Sequence, residues 1–223
     1  MSTYLLINFA IILFPFLASF EPWFLHHIKN LKAALASILI VGIPFIAYDM
    51  FATAVGFWSF NPAHVGTFQI LNLPIEEVLF FITAPYSCLF VYECIQLFFK
   101  DRSIRLTNAS LFISGLLLAL SLLAMPRSYT ATILCLSAIT ILLVRFFRPS
   151  LLHSSNFYIF LLVSFFLFLV FNHILTSLPI VVYGPDFNLG IRILTIPIED
   201  FFFNFSMLTL NLLVYLWAKE KFK

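Results

Sequence analysis

Seven apolar runs, near residues 3–20, 33–53, 74–98, 107–125, 129–147, 156–177 and 197–218, leave this chain few ways to fold. Each can cross about 30 Å of hydrocarbon as a helix, and a helix satisfies its own backbone where there is no water to do so. Only 10% of the residues are charged, against about 25% in ordinary soluble domains. The chain therefore reads as an all-α polytopic membrane helical bundle of seven transmembrane helices. Its first run lacks the basic leader and small-residue cleavage site of a secretory signal and is kept as a span. Ten of the twelve Lys and Arg lie at or after the ends of spans one, three, five and seven, with Arg127 and Arg192 on the other side. That bias predicts an external N-terminus and a cytoplasmic C-terminus in the cell (inner) membrane.

Shifted by 123 residues, the chain aligns with itself without a gap, pairing Asp49 with Asn172, Pro62 with Pro185, Pro74 with Pro197, Glu76 with Glu199 and Glu77 with Asp200. Spans one to three then match spans five to seven, and the odd fourth span makes the halves run the same way through the membrane. The expected organisation is a first three-span repeat over 1–105, a connecting span over 106–126 and a second three-span repeat over 127–223. Such a parallel repeat has its pseudo-two-fold axis along the membrane normal.

The repeat carries its chemistry in "LNLPIEEVLFF" (71–81) and "LTIPIEDFFFN" (194–204). Proline suits the first turn of a helix, and an acid there complements the positive end of the helix dipole. Two copies at one offset, each just inside a membrane boundary where an ionised side chain is expensive, point beyond capping. Helical spacing puts Glu76, Phe80, Thr83 and Ser87 on one face, and Glu199, Phe203 and Ser206 repeat the first three. Glu76 and Glu199 are thus expected to face inward, with Glu77 and Asp200 about 100° round each helix. Asp49, Asn172 and His173 lie near the outer ends of spans two and six, within reach of the glutamates across a bundle. Trp58 reads either as an interfacial belt residue or as part of this site.

Several chemistries are excluded. The seventh span has no lysine for a retinal Schiff base, and the chain has neither a G-x-G-x-x-G fingerprint nor an aspartate-rich diphosphate motif. Cys88, Cys94 and Cys135 lack metal-ligand spacing, and a net charge of +2 does not suggest nucleic acid. The expectation is a site without metal or cofactor. Desolvation favours a neutral carboxyl, while the helix N-terminus favours the ionised one. Where desolvation prevails, a neutral acid would face a lipid-soluble substrate, and the faces of the 30 Phe offer cation-π stabilisation to a carbocation.

The doubled P-x-E-[E/D]-x-x-F, as "PIEEVLF" and "PIEDFFF", with "YDMFATAVGFWSFNP" before the first copy, resembles the membrane-integral lycopene cyclase family, known as two small proteins or one fused chain. The second copy departs from it: "FNHILTSLPIVVYGP" has Asn172 for Asp49 and no tryptophan. The resemblance implies lycopene as substrate, membrane lipid as surroundings and other carotenoid enzymes as candidate associates. It also implies a non-redox cyclisation, in which an acid protonates a terminal double bond, the cation is attacked by a second double bond, and proton loss leaves a β-ionone ring. Glu76 or Glu199 is then expected to be the proton donor and Glu77 or Asp200 the base. Asp49, Asn172, His173, Trp58, Phe80, Thr83, Phe203 and Ser206 would bind substrate. A carotenoid hydratase would use the same acid and let water capture the cation, and a transporter or membrane scaffold is the non-enzymatic alternative.

Overall fold

The computed structural model describes residues 2–24, 27–104 and 107–222. Each expected span corresponds to one long helix: α1 (Thr3–Ala18), α2 (Leu31–Val55), α3 (Ile75–Phe98), α4 (Thr107–Leu123), α5 (Ser128–Phe147), α7 (Ser155–Ser177) and α8 (Ile198–Lys221), with a single turn, α6 (Pro149–Leu152), between α5 and α7. Among the described residues, five of these are long and apolar enough to cross a membrane, and the chain is a helical membrane bundle. The other two, α1 and α4, are shorter than expected. With 16 residues, α1 extends about 24 Å. It starts at the Ser2 cap, which accepts from the Leu5 N–H, and stops where the Ser19 hydroxyl donates back to the Pro15 carbonyl.

Short strands form at the same end of the bundle as the acids: β1 (Trp58–Phe60), β2 (Gln69–Ile70), β3 (Leu73–Pro74), β4 (Val181–Tyr183), β5 (Arg192–Ile193) and β6 (Ile196–Pro197). Each of the last three starts 123 residues after its counterpart among the first three, as α8 does after α3. The tight turns β2–β3 and β5–β6 place Leu71 and Leu194 at the same positive φ, 56°, a conformation costing a non-glycine residue roughly 1–2 kcal/mol. Its recurrence makes it a property of the repeat. Strands β1 and β4 pair with each other, antiparallel, in the register Trp58–Tyr183, Ser59–Val182 and Phe60–Val181. Ser59 thus faces its own repeat mate, and a strand paired with its own counterpart lies on a local two-fold axis.

The acid-bearing helices α3 and α8 are the most interior. Buried residues make up 61% and 50% of their apolar windows, against 39% for α2 and 22% for α7. The halves interlock, with α2 of the first packed on α8 of the second and α7 of the second on α3 of the first. The main core joins Phe45, Phe81 and Leu89 to Phe160, Met207 and Leu212 across this seam. One part of the repeat departs from the gapless offset. Tyr4 and Tyr129 occupy equivalent places on α1 and α5, each reaching the second acid of its half, yet they stand 125 residues apart.

Candidate active site

Pro74 and Pro197 end strands β3 and β6 with φ near −57° and ψ near 142° and hand the chain directly to α3 and α8. The two acids of each motif fall in the first helical turn, where neighbours diverge by about 100°, and they meet different surroundings. Glu77 and Asp200 line one cavity on the seam between the halves, with Asp49 and Asn172. Glu76 and Glu199 do not line it. Each turns aside to a loop and to the first helix of its own half, and both are at most 2% exposed. Glu76 Oε1 accepts from the Gly66 amide at 2.7 Å and from the Ser2 hydroxyl, while Glu199 Oε1 accepts from the Leu189 amide at 2.8 Å and from Thr130 Oγ1 at 2.6 Å. A Cβ at position 66 would stand 2.9 Å from Glu76 Oε1, so any larger residue there would displace the carboxylate from this position. The second oxygen of each glutamate is buried without a hydrogen bond.

The facing expected from helical spacing, with Glu76 and Glu199 inward, is therefore not the arrangement found. The polar stripe that suggested it binds helices together, as polar residues inside membranes do. Thr83 Oγ1 donates to Asn8 Oδ1 at 2.7 Å, Ser87 Oγ to the Ile11 carbonyl at 3.0 Å, and Ser206 shares a 3.0 Å hydrogen bond with Ser137. His173 is also outside the cavity, its Nδ1 lying 2.7 Å from Thr195 Oγ1 in the β5–β6 turn.

Inside the cavity the two halves differ. Asp200 accepts three hydrogen bonds: from Tyr129 at 2.7 Å on Oδ1, and from Asn172 Nδ2 at 3.0 Å and the Tyr183 hydroxyl on Oδ2. Glu77 accepts from Tyr4 at 2.6 Å. The residue matching Asn172 beside it is Asp49, whose Oδ1 takes the Trp58 indole N–H at 2.6 Å and whose Oδ2 is buried without a partner. Tyr183 lies in the β1–β4 ribbon; burial first and the Asp200 carboxylate second push its phenol well above the usual tyrosine range, so it stays a donor. Phe80, Phe81, Phe203 and Trp58 supply apolar walls. The space they enclose is about 60 Å³.

Phe80, Phe203, Trp58, Asp49 and Asn172 are thus brought together with Glu77 and Asp200. Tyr4, Tyr129 and Tyr183 were missed by sequence reasoning. The first two could have been found as tyrosines opening spans one and five, but they fall two residues out of the 123-residue register. Among the described residues, no three His, Cys, Asp or Glu side chains are grouped to hold a metal ion.

The family model described as "Lycopene cyclase" matches residues 1–95 and 126–218, one segment in each half. No curated protein and no solved structure matches the chain.

Proposed function

The chain belongs to the lycopene cyclase family, and from that premise we propose that it closes a β-ionone ring on an end of lycopene by proton transfer, with no net redox change. A proton adds to the terminal double bond and leaves a tertiary cation. The C5–C6 double bond attacks it, and the proton lost from C6 restores the balance. The observation that carries this reading is the gathering of Glu77, Asp49 and Asp200 in one aromatic-walled cavity.

The hydrogen bonds support a division of roles. An ionised carboxylate accepts and cannot donate, and three donors converging on Asp200 suit its anion. Glu77 has one donor and an acid for a neighbour, and the two carboxyls interact electrostatically. Two such groups resist ionising together, so the pair Glu77–Asp49 retains a proton. Glu77 is the donor. Asp200 stabilises the cation and accepts the proton released at C6, and the ring faces of Phe80, Phe81 and Phe203 carry charge in between. Glu76 and Glu199 are positioning residues that fasten the loops to α3 and α8.

The Lys and Arg distribution supports an external N-terminus and a cytoplasmic C-terminus in the cell membrane, an orientation in which the cavity would face the outer leaflet. The 123-residue offset supports two repeats, 1–105 and 127–223, joined by 106–126. The direct test is expression of the chain in a host that accumulates lycopene, followed by pigment chromatography. Mono- or bicyclic carotenes are expected. Unchanged lycopene would overturn the reading, and hydroxylated acyclic products would replace it with hydration.

A further inference from the structure

Ligand pockets usually enclose about 300–1,000 Å³, so an acid cavity of about 60 Å³ can seat only the reacting tip of a long substrate. A second, apolar groove of about 380 Å³ lies between α1, α3 and α7 and shares Phe80, Phe168 and Asn172 with the acid cavity. Resting on the reading above, we propose that this groove holds the conjugated polyene arm of the substrate while its end sits against Glu77.

The repeat itself argues that the groove is built in. On its walls stand Ala84, Ser87, Cys88 and Ser164. Their counterparts 123 residues away are Met207, Leu210, Asn211 and Val41, all bulkier. Met207 and Val41 are buried in the main core, and Leu210 packs against it. In the other half, where α2 packs on α8, these positions belong to the packed core, with Phe45 edge-on to Phe203 at 5.2 Å. Small residues keep one of two equivalent grooves open, and α7, the least buried of the five helices long enough to span, forms its outer wall. From Phe80 to Val91 the groove follows α3 for 11 residues, about 16 Å. That is roughly half the hydrocarbon thickness, so the remainder of the polyene extends into lipid. The walls are almost wholly apolar, as a hydrocarbon chain requires.

The test reconstitutes the full chain in phospholipid nanodiscs and reads lycopene binding by the circular dichroism that a chiral site induces in the polyene band, separately from turnover. Ala84→Phe on α3 and Ser164→Leu on α7 obstruct the groove from opposite walls. Each is expected to weaken binding at least tenfold and turnover with it. Ile40→Phe, a lipid-facing change on α2 at the position matching Val163, controls for added bulk and leaves both unchanged. Glu77→Gln separates the two readings: it keeps the binding signal while turnover is lost. Retained lycopene binding in both obstructed variants overturns the groove assignment whatever the turnover. So does a phospholipid, seen by native mass spectrometry, that holds the groove and is not displaced by lycopene. If Glu77→Gln turns over normally while the obstructed variants fail to bind, the groove stands and the acid assignment falls.

Discussion

The first half of the molecule surrounds its inner acid with another acid, and the second half surrounds it with donors. Asp49 stands beside Glu77 where Asn172 donates to Asp200. Trp58 occupies the first-half ribbon, and Tyr183, its strand partner from the second, donates to Asp200. The same divergence separates the helix faces, with Ala84 and Cys88 against Met207 and Asn211. A shared frame fixes where two carboxyls meet, and on the proposed reading a few substitutions decide which one keeps a proton and on which side a long ligand can lie. Acid catalysis needs both a donor and an acceptor, and an exact repeat would have supplied two of one kind.

The strongest way to break this comparison is to exchange the inner acids for amides. On the proposed reading Glu77→Gln removes the proton donor, and a loss of about 10²- to 10⁴-fold in cyclised carotene is expected, the usual worth of a positioned general acid. Quantitative pigment analysis at matched membrane protein levels checks it. A Glu77→Gln enzyme that retains activity while Glu76→Gln is inert would return the donor role to the outer glutamate.

A smaller effect is expected from making the halves alike. Asn172→Asp replaces a donor to the anion with a second acid. It forfeits about 1.5–3 kcal/mol, the range for a hydrogen bond to a charged group, or roughly ten- to a hundredfold in rate. The double variant Asp49→Asn/Asn172→Asp restores one amide and one acid with the sides exchanged. It should recover little, because Trp58 and Tyr183 have not changed places. Full recovery would show that the ribbon residues do not contribute to the assignment.

The smallest effect belongs to the outer glutamates. Glu76→Gln and Glu199→Gln keep an oxygen for the loop amide and put an NH2 group in place of the oxygen that has no partner, so about 1 kcal/mol of stability is expected to go. Activity should fall less than tenfold. Thermal unfolding in detergent, measured beside pigment yield, separates the two.

The positions of the helices and the placing of both acid pairs in a first helical turn could be read from apolar runs, a 123-residue offset and two prolines. The choice within each acid pair could not. A polar stripe on a membrane helix marks either a cavity or a contact with another helix. The partners that decide for contact, Asn8 and Ser137, lie on helices whose rotation one sequence does not reveal. Tyr4 and Tyr129 were hidden by the two-residue slip of α1 against α5, and the open groove by the fact that small residues at 84, 87, 88 and 164 look ordinary until their bulky mates are placed beside them.

The ribbon of β1 with β4 also bears on biogenesis. Trp58 meets Tyr183 only after 125 further residues have been made, so while the chain is threaded into the bilayer the first three helices are in place well before their cavity can close. Throughout that interval Glu77 and Asp49 lack the second-half wall that later screens them, and acids facing hydrocarbon are costly. The nascent first half is therefore the stage at which these acids are most exposed to lipid. Closure of the site awaits both the zipping of three residue pairs across the axis and the arrival of α8 with Asp200 and Phe203.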